Sequence, residues 1–107
     1  MKIKNAIRPL LIKFNSEDKM KTKDLIKKIN KLIPQAKAIK ASEFYNDSSR
    51  DGIWFKGSED YASDDLLIFD YYEEFGHNIH PTLEKILTDA GWYGEPYDAG
   101  TLMAWRM

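Results

Sequence analysis

"HPTLEKILTDAGWYGEPYDAGTLMAWR", residues 80–106, contains three consecutive elements with their punctuation in place. Leu83, Ile86, Leu87 and Ala90 recur at i, i+3, i+4 and i+7, the spacing that lines one face of a helix. Pro81 suits the first helical position, where a missing N–H costs nothing, and His80 stands before it as the cap. Gly91 supplies the left-handed residue that closes a helix, and Trp92 follows where it can fold back on Leu87. "WYGEPY" and "TLMAWR", joined by the turn "DAGT", then make a closing hairpin. A helix feeding straight into a hairpin predicts an α+β fold.

Upstream, "LLIFDYY" (66–72) and "IWFK" (53–56) are β-branched and aromatic runs separated by the polar loop "GSEDYASDD". Alternation puts Leu67, Phe69 and Tyr71 on one face of the later run and Leu66, Ile68, Asp70 and Tyr72 on the other. Both faces carry large apolar groups, so an interior strand is expected. "AKAIKASEFY" (36–45) alternates loosely as a strand before the turn formers "NDSSRDG". "TKDLIKKINKLI" (22–33) is the clearest helix. Thr22 is its expected N-cap, Leu25, Ile26, Ile29, Leu32 and Ile33 form its stripe, and Pro34 ends it. Ile7, Leu10, Leu11 and Phe14 suggest a further helix beginning close to Pro9.

These elements predict one domain over residues 1–107: a two-layer sandwich with a mainly antiparallel sheet of about five strands and two to three helices on one face. The expected core is Ile7, Leu11, Leu25, Ile29, Leu32, Ile53, Phe55, Leu67, Phe69, Leu83, Leu87, Trp92, Met103 and Trp105.

At 107 residues the chain has the length of one domain, and it has no cysteine, which excludes disulfides, thiolate metal sites and thiol catalysis. Lys2 and Lys4 are followed by Pro9 and only a short apolar run, so no secretory leader is expected and the cytoplasm is the expected location. No membrane partner is expected, because no stretch approaches the ~18 apolar residues of a span.

Candidate chemistry is thin. His77 and His80 stand three apart before Glu84, but helical zinc pairs want i, i+4, so no metal and no cofactor is expected. Asp64/Asp65 and Glu73/Glu74 are adjacent doublets, which point to opposite faces of a strand and do not form a dyad. There is no P-loop, no G-x-G-x-x-G and no nucleophile elbow, and "KGSED" holds a serine outside any such pattern. The expectation is a non-enzyme with no catalytic residues.

Charge carries more. Residues 1–42 hold 12 Lys and Arg against 3 Asp and Glu, whereas residues 43–107 hold 4 against 14. Such a split favours steered association with a charged partner. Asp60, Tyr61, Asp64, Asp65, Tyr72, Glu73 and Glu74 are the candidate contacts, offering carboxylates and tyrosine anchors to a host protein with a basic groove. The alternative is a small nucleic-acid-binding protein using the lysine-rich helix 23–33, with Lys23, Lys27, Lys28 and Lys31 outward. Against it, Phe69, Tyr71 and Tyr72 lie in the acidic half, where phosphate is repelled, so nucleic acid is the less favoured partner.

His80, Pro81, Leu83, Glu84, Gly91, Trp92, Tyr93, Tyr97, Asp98, Ala99, Gly100 and Thr101, with "DGIWFKGSE" (51–59) and "LLIFDYY", give a pattern that resembles small accessory proteins of bacteriophages and related mobile elements. The resemblance covers about the last half of the chain and carries over no functional residue. It implies a context: small cysteine-free phage proteins that bind and block a host enzyme or defence complex, as anti-CRISPR and other counter-defence inhibitors do.

Overall fold

A computed structural model of the chain describes residues 20–72 and 78–107. The helix expected around Ile7–Phe14, and with it core positions Ile7 and Leu11, lies outside them. In chain order the elements are α1 (Thr22–Leu32), a 3-10 turn (Pro34–Ala36), β1 (Ala38–Lys40), α2 (Ala41–Tyr45), β2 (Ile53–Phe55), α3 (Pro81–Asp89), β3 (Trp92–Asp98) and β4 (Thr101–Arg106). The fold is α+β, with one antiparallel sheet in the order β1-β2-β4-β3.

The interior strands are β2 and β4. Leu102, Met103 and Ala104 are all buried, which means that both faces of β4 are covered. Register places Ile53 opposite Ala104 and Phe55 opposite Leu102. These four face Leu25 and Ile29 of α1, and Leu83, Ile86 and Leu87 of α3, in one apolar cluster that also holds Trp92. The pleat turns Trp54 the other way, where Phe44 of α2 meets it edge-on at 4.9 Å. Helices therefore sit on both faces of the sheet, not on one as the sequence suggested.

Short side-chain bonds close the exposed margins. β1 is an edge strand, and the Asn30 amide pairs with both backbone groups of Ala38, donating to its carbonyl at 2.9 Å and accepting from its N–H at 2.8 Å. An α1 side chain thus does the work of a fifth strand. Gly57 donates to the Ala36 carbonyl, and a Cβ there would stand 1.8 Å from the Gln35 carbonyl oxygen, so only glycine allows the approach. The serine of "KGSED", Ser58, is buried. It donates to the Phe55 carbonyl and accepts from the Leu102 N–H, which makes it an architectural pin.

Several expectations are corrected. The described residues hold four named strands instead of about five. "LLIFDYY" is not a regular strand: residues 66–70 thread between 60–62 and 78–80 through single bridges, Tyr61 with Leu67 and Phe69 with Ile79. Asp65 at φ 68° turns the chain sharply before it, and the neighbours Ile68 and Phe69 both enter the same apolar cluster instead of alternating across two faces. "ASEFY" is helix, not strand. The cap of α1 is Lys21, because the Thr22 hydroxyl is spent on Asp51. Leu32 is 56% exposed, and Leu67 and Trp105 are only partly buried, so these three leave the core. α3 stands as expected, with Pro81 first, His80 as cap and Gly91 at φ 82°.

Candidate functional site

The acidic candidates divide by environment. A tight hairpin carries Asp60, Tyr61, Asp64 and Asp65, closed by the Ala62 N–H to the Leu66 carbonyl at 2.8 Å and the Ile68 N–H to the Asp60 carbonyl at 2.9 Å. Asp60 pairs with Lys37 at 3.3 Å, both side chains being half exposed or more, so acidic and basic halves touch here. Asp65 stands exposed at the tip. Tyr61 is 54% exposed, Tyr71 45% and Tyr72 79%, with Tyr71 and Tyr72 edge-to-face at 5.2 Å. Tyr61 bridges Leu67, and Leu67 lines a shallow groove of about 230 Å³ with Glu59, Phe69, Tyr71 and Tyr72. Loop and tyrosines thus belong to one surface, anchored from beneath by Ile68 and Phe69. Glu73 and Glu74, like His77, lie outside the described residues.

Asp64 does something the sequence reading missed. Both its carboxylate oxygens lie against His80 Nε2, at 3.0 and 2.9 Å. The other ring nitrogen, Nδ1, accepts from the Thr82 N–H at 3.2 Å, which caps α3 and assigns the ring hydrogen to Nε2. His80 donation, helped by the Leu66 N–H, holds the Asp64 carboxyl below its ordinary range. His80 is buried and has both nitrogens engaged, so it has none to offer as a general base. Asp64 is a tether between loop and helix as well as a surface acid.

A second surface gathers residues no motif linked. Lys21, Lys23, Lys40 and Arg50 line an open cleft of about 520 Å³ at the start of α1, together with Thr22, Ser42, Ser48, Asp51 and Gly52. Its acid, Asp51, accepts from Thr22 and, at 3.1 Å, from Arg106 Nε. Those bonds lower its carboxyl, the Thr22 hydroxyl contributing most. Beside the cleft, Arg50 lies 4.2 Å from the Tyr45 ring centroid. Phe44, Tyr45, Trp54, Tyr97 and Trp105 continue from there as a cluster of aromatic rings. Its cations are scattered over 30 positions and its rings over 62, so no window of sequence displays either.

Among the described residues no helix is long and apolar enough to cross a membrane. No protein-family model, curated protein or solved structure matches the chain.

Proposed function

We propose that the protein is a non-catalytic binding protein, encoded by a phage or mobile element, that inhibits or modulates a host macromolecule in the manner of anti-CRISPR and other counter-defence inhibitors. Its contact surface is the acidic hairpin with the tyrosines after it: Asp60, Tyr61, Asp64, Asp65 and Tyr72, with Glu73 and Glu74 following in sequence. One observation carries the reading. Tyr61, Tyr71 and Tyr72 stand in solvent beside carboxylates, while Ile68 and Phe69 of the same segment are buried. Tyrosine rings held out on an anchored segment supply contact area at low entropic cost, and carboxylates around them favour a basic groove. A nucleic-acid enzyme or a guided defence complex presents such a groove.

The test is capture of a partner from host lysate on the tagged full-length chain, followed by affinity measurements on a variant combining Tyr61→Ala, Tyr72→Ala, Asp60→Asn and Asp65→Asn. Asp64 is left intact because it holds His80. Asparagine suits position 65, where φ is 68°. The combined variant should bind at least about tenfold more weakly, and added salt should slow association. Unchanged affinity for the captured partner would reject this surface.

A further inference from the structure

We infer that the cleft at the start of α1 binds single-stranded nucleic acid, with phosphates on Lys21, Lys23, Lys40 and Arg50 and bases against the neighbouring rings. This is independent of the acidic surface. Among the described residues four cations line the cleft with one acid, Asp51, and Thr22 and Arg106 already occupy that carboxylate. Asp47 approaches Arg50 at 3.8 Å, but both are exposed and the contact is a weak one. Ser42 and Ser48 add hydroxyls that can donate to phosphate oxygens.

The cleft runs directly into the ring cluster. Arg50 lines it and also covers Tyr45. Gly52 lines it and packs so closely on Trp105 that a Cβ would stand 2.4 Å from the indole. Tyr45 and Trp105 are 6.3 Å apart, and Phe44 joins Tyr45 to Trp54 and Tyr97. Glu95 on β3, opposite Met103 in the register, and Glu43, next to Ser42 on α2, add exposed negative charge outside the cleft. A cationic groove beside aromatic rings matches a strand with unpaired bases, because stacking needs a free base face. A duplex offers its phosphates but hides those faces, and a free anion leaves the rings unused.

The experiment uses the full-length protein and fluorescein-labelled 15-mers of dT and rU, read by anisotropy between 50 and 200 mM salt. Binding should be accompanied by tryptophan quenching, with a slope of log K against log salt of about −3 for four phosphates. Lys21→Ala with Lys23→Ala and Lys40→Ala should weaken binding at least about tenfold and flatten that slope by about 2. The matching change at Lys27, Lys28 and Lys31, on the outer face of α1, should stay within about threefold. Tyr45→Leu should weaken binding roughly fivefold or more with the slope kept. Tyr97→Ala, at an exposed ring, should do the same should Tyr45→Leu fail to fold by circular dichroism. Four results would each overturn the inference: no binding at 50 mM salt, equal loss from both lysine sets, duplex bound as tightly as single strand without quenching, or displacement by 1 mM inorganic phosphate.

Discussion

His80 shows how one side chain can join two elements. Its backbone carbonyl accepts the first helical bond, from the Glu84 N–H at 2.9 Å. Its Nδ1 satisfies Thr82, and its Nε2 grips Asp64 sixteen positions earlier. Imidazole is an unusual cap, and its second nitrogen lets it reach the hairpin at the same time as it caps the helix. His80→Ala should therefore cost about 2 kcal/mol, combining a lost cap with a lost, partly buried hydrogen bond to Asp64. His80→Asn keeps the cap and should recover roughly half of that in urea denaturation. If the two variants unfold at the same midpoint, capping contributes nothing and the Asp64 bond carries the whole effect.

At the scale of elements, the segment after the acidic hairpin makes the sharpest prediction. Ile68 and Phe69 are consecutive and both buried, whereas Leu67 is only partly covered. Ile68→Ala and Phe69→Ala should each cost about 3–5 kcal/mol, and Leu67→Ala under about 1.5 kcal/mol, by thermal or urea unfolding. A loss at Leu67 as large as those at Ile68 and Phe69 would restore the interior strand with both faces covered. That strand was a natural expectation, since an apolar run shows hydrophobicity but not whether neighbours share a side. α3 was legible because its signals are local: a proline, a periodic stripe and a glycine with φ 82°. α2 was not, because its five residues are held by contacts from Phe44 to Trp54 and Tyr97, far along the chain. The acidic surface was visible as composition, although Asp64's bond to His80 was not. The basic cleft was invisible, since distant loops bring Lys40 and Arg50 to Lys21 and Lys23.

At the scale of the molecule, the split charge of the sequence becomes two ends of one helix. The basic cleft lies at the start of α1, and Lys37, just beyond its end, meets Asp60 of the acidic hairpin. Eleven helical residues span roughly 16 Å, about twice the screening length in physiological salt, so the two surfaces act on their partners separately. What holds the basic end in shape is Arg106, at the close of β4. It donates to Asp51 Oδ2 at 3.1 Å, to the Met20 carbonyl at 3.2 Å and to the Thr22 hydroxyl at 3.1 Å, with its guanidinium 4.9 Å from the Trp92 ring centroid. The last strand, the start of α1 and the loop before β2 are thus clasped together. Folding favours the ionised form of Asp51, whose carboxyl lies below its ordinary value of 3.8. Its contribution is therefore complete above that value and is lost as pH falls through the lower, folded-state range. The group is more than half exposed, which screens the effect to about 1 kcal/mol or less at neutral pH. Melting followed from pH 6 down to pH 2.5 should show stability falling at the acid end, and Asp51→Asn should remove part of that fall while lowering the neutral-pH plateau. Arg106→Ala should lower the plateau further, by about 2 kcal/mol, because it also removes the guanidinium from the Trp92 ring and its donation to the Met20 carbonyl and the Thr22 hydroxyl. An Asp51→Asn curve parallel to that of the parent across the whole acid limb would show that the clasp does not depend on the charge of Asp51.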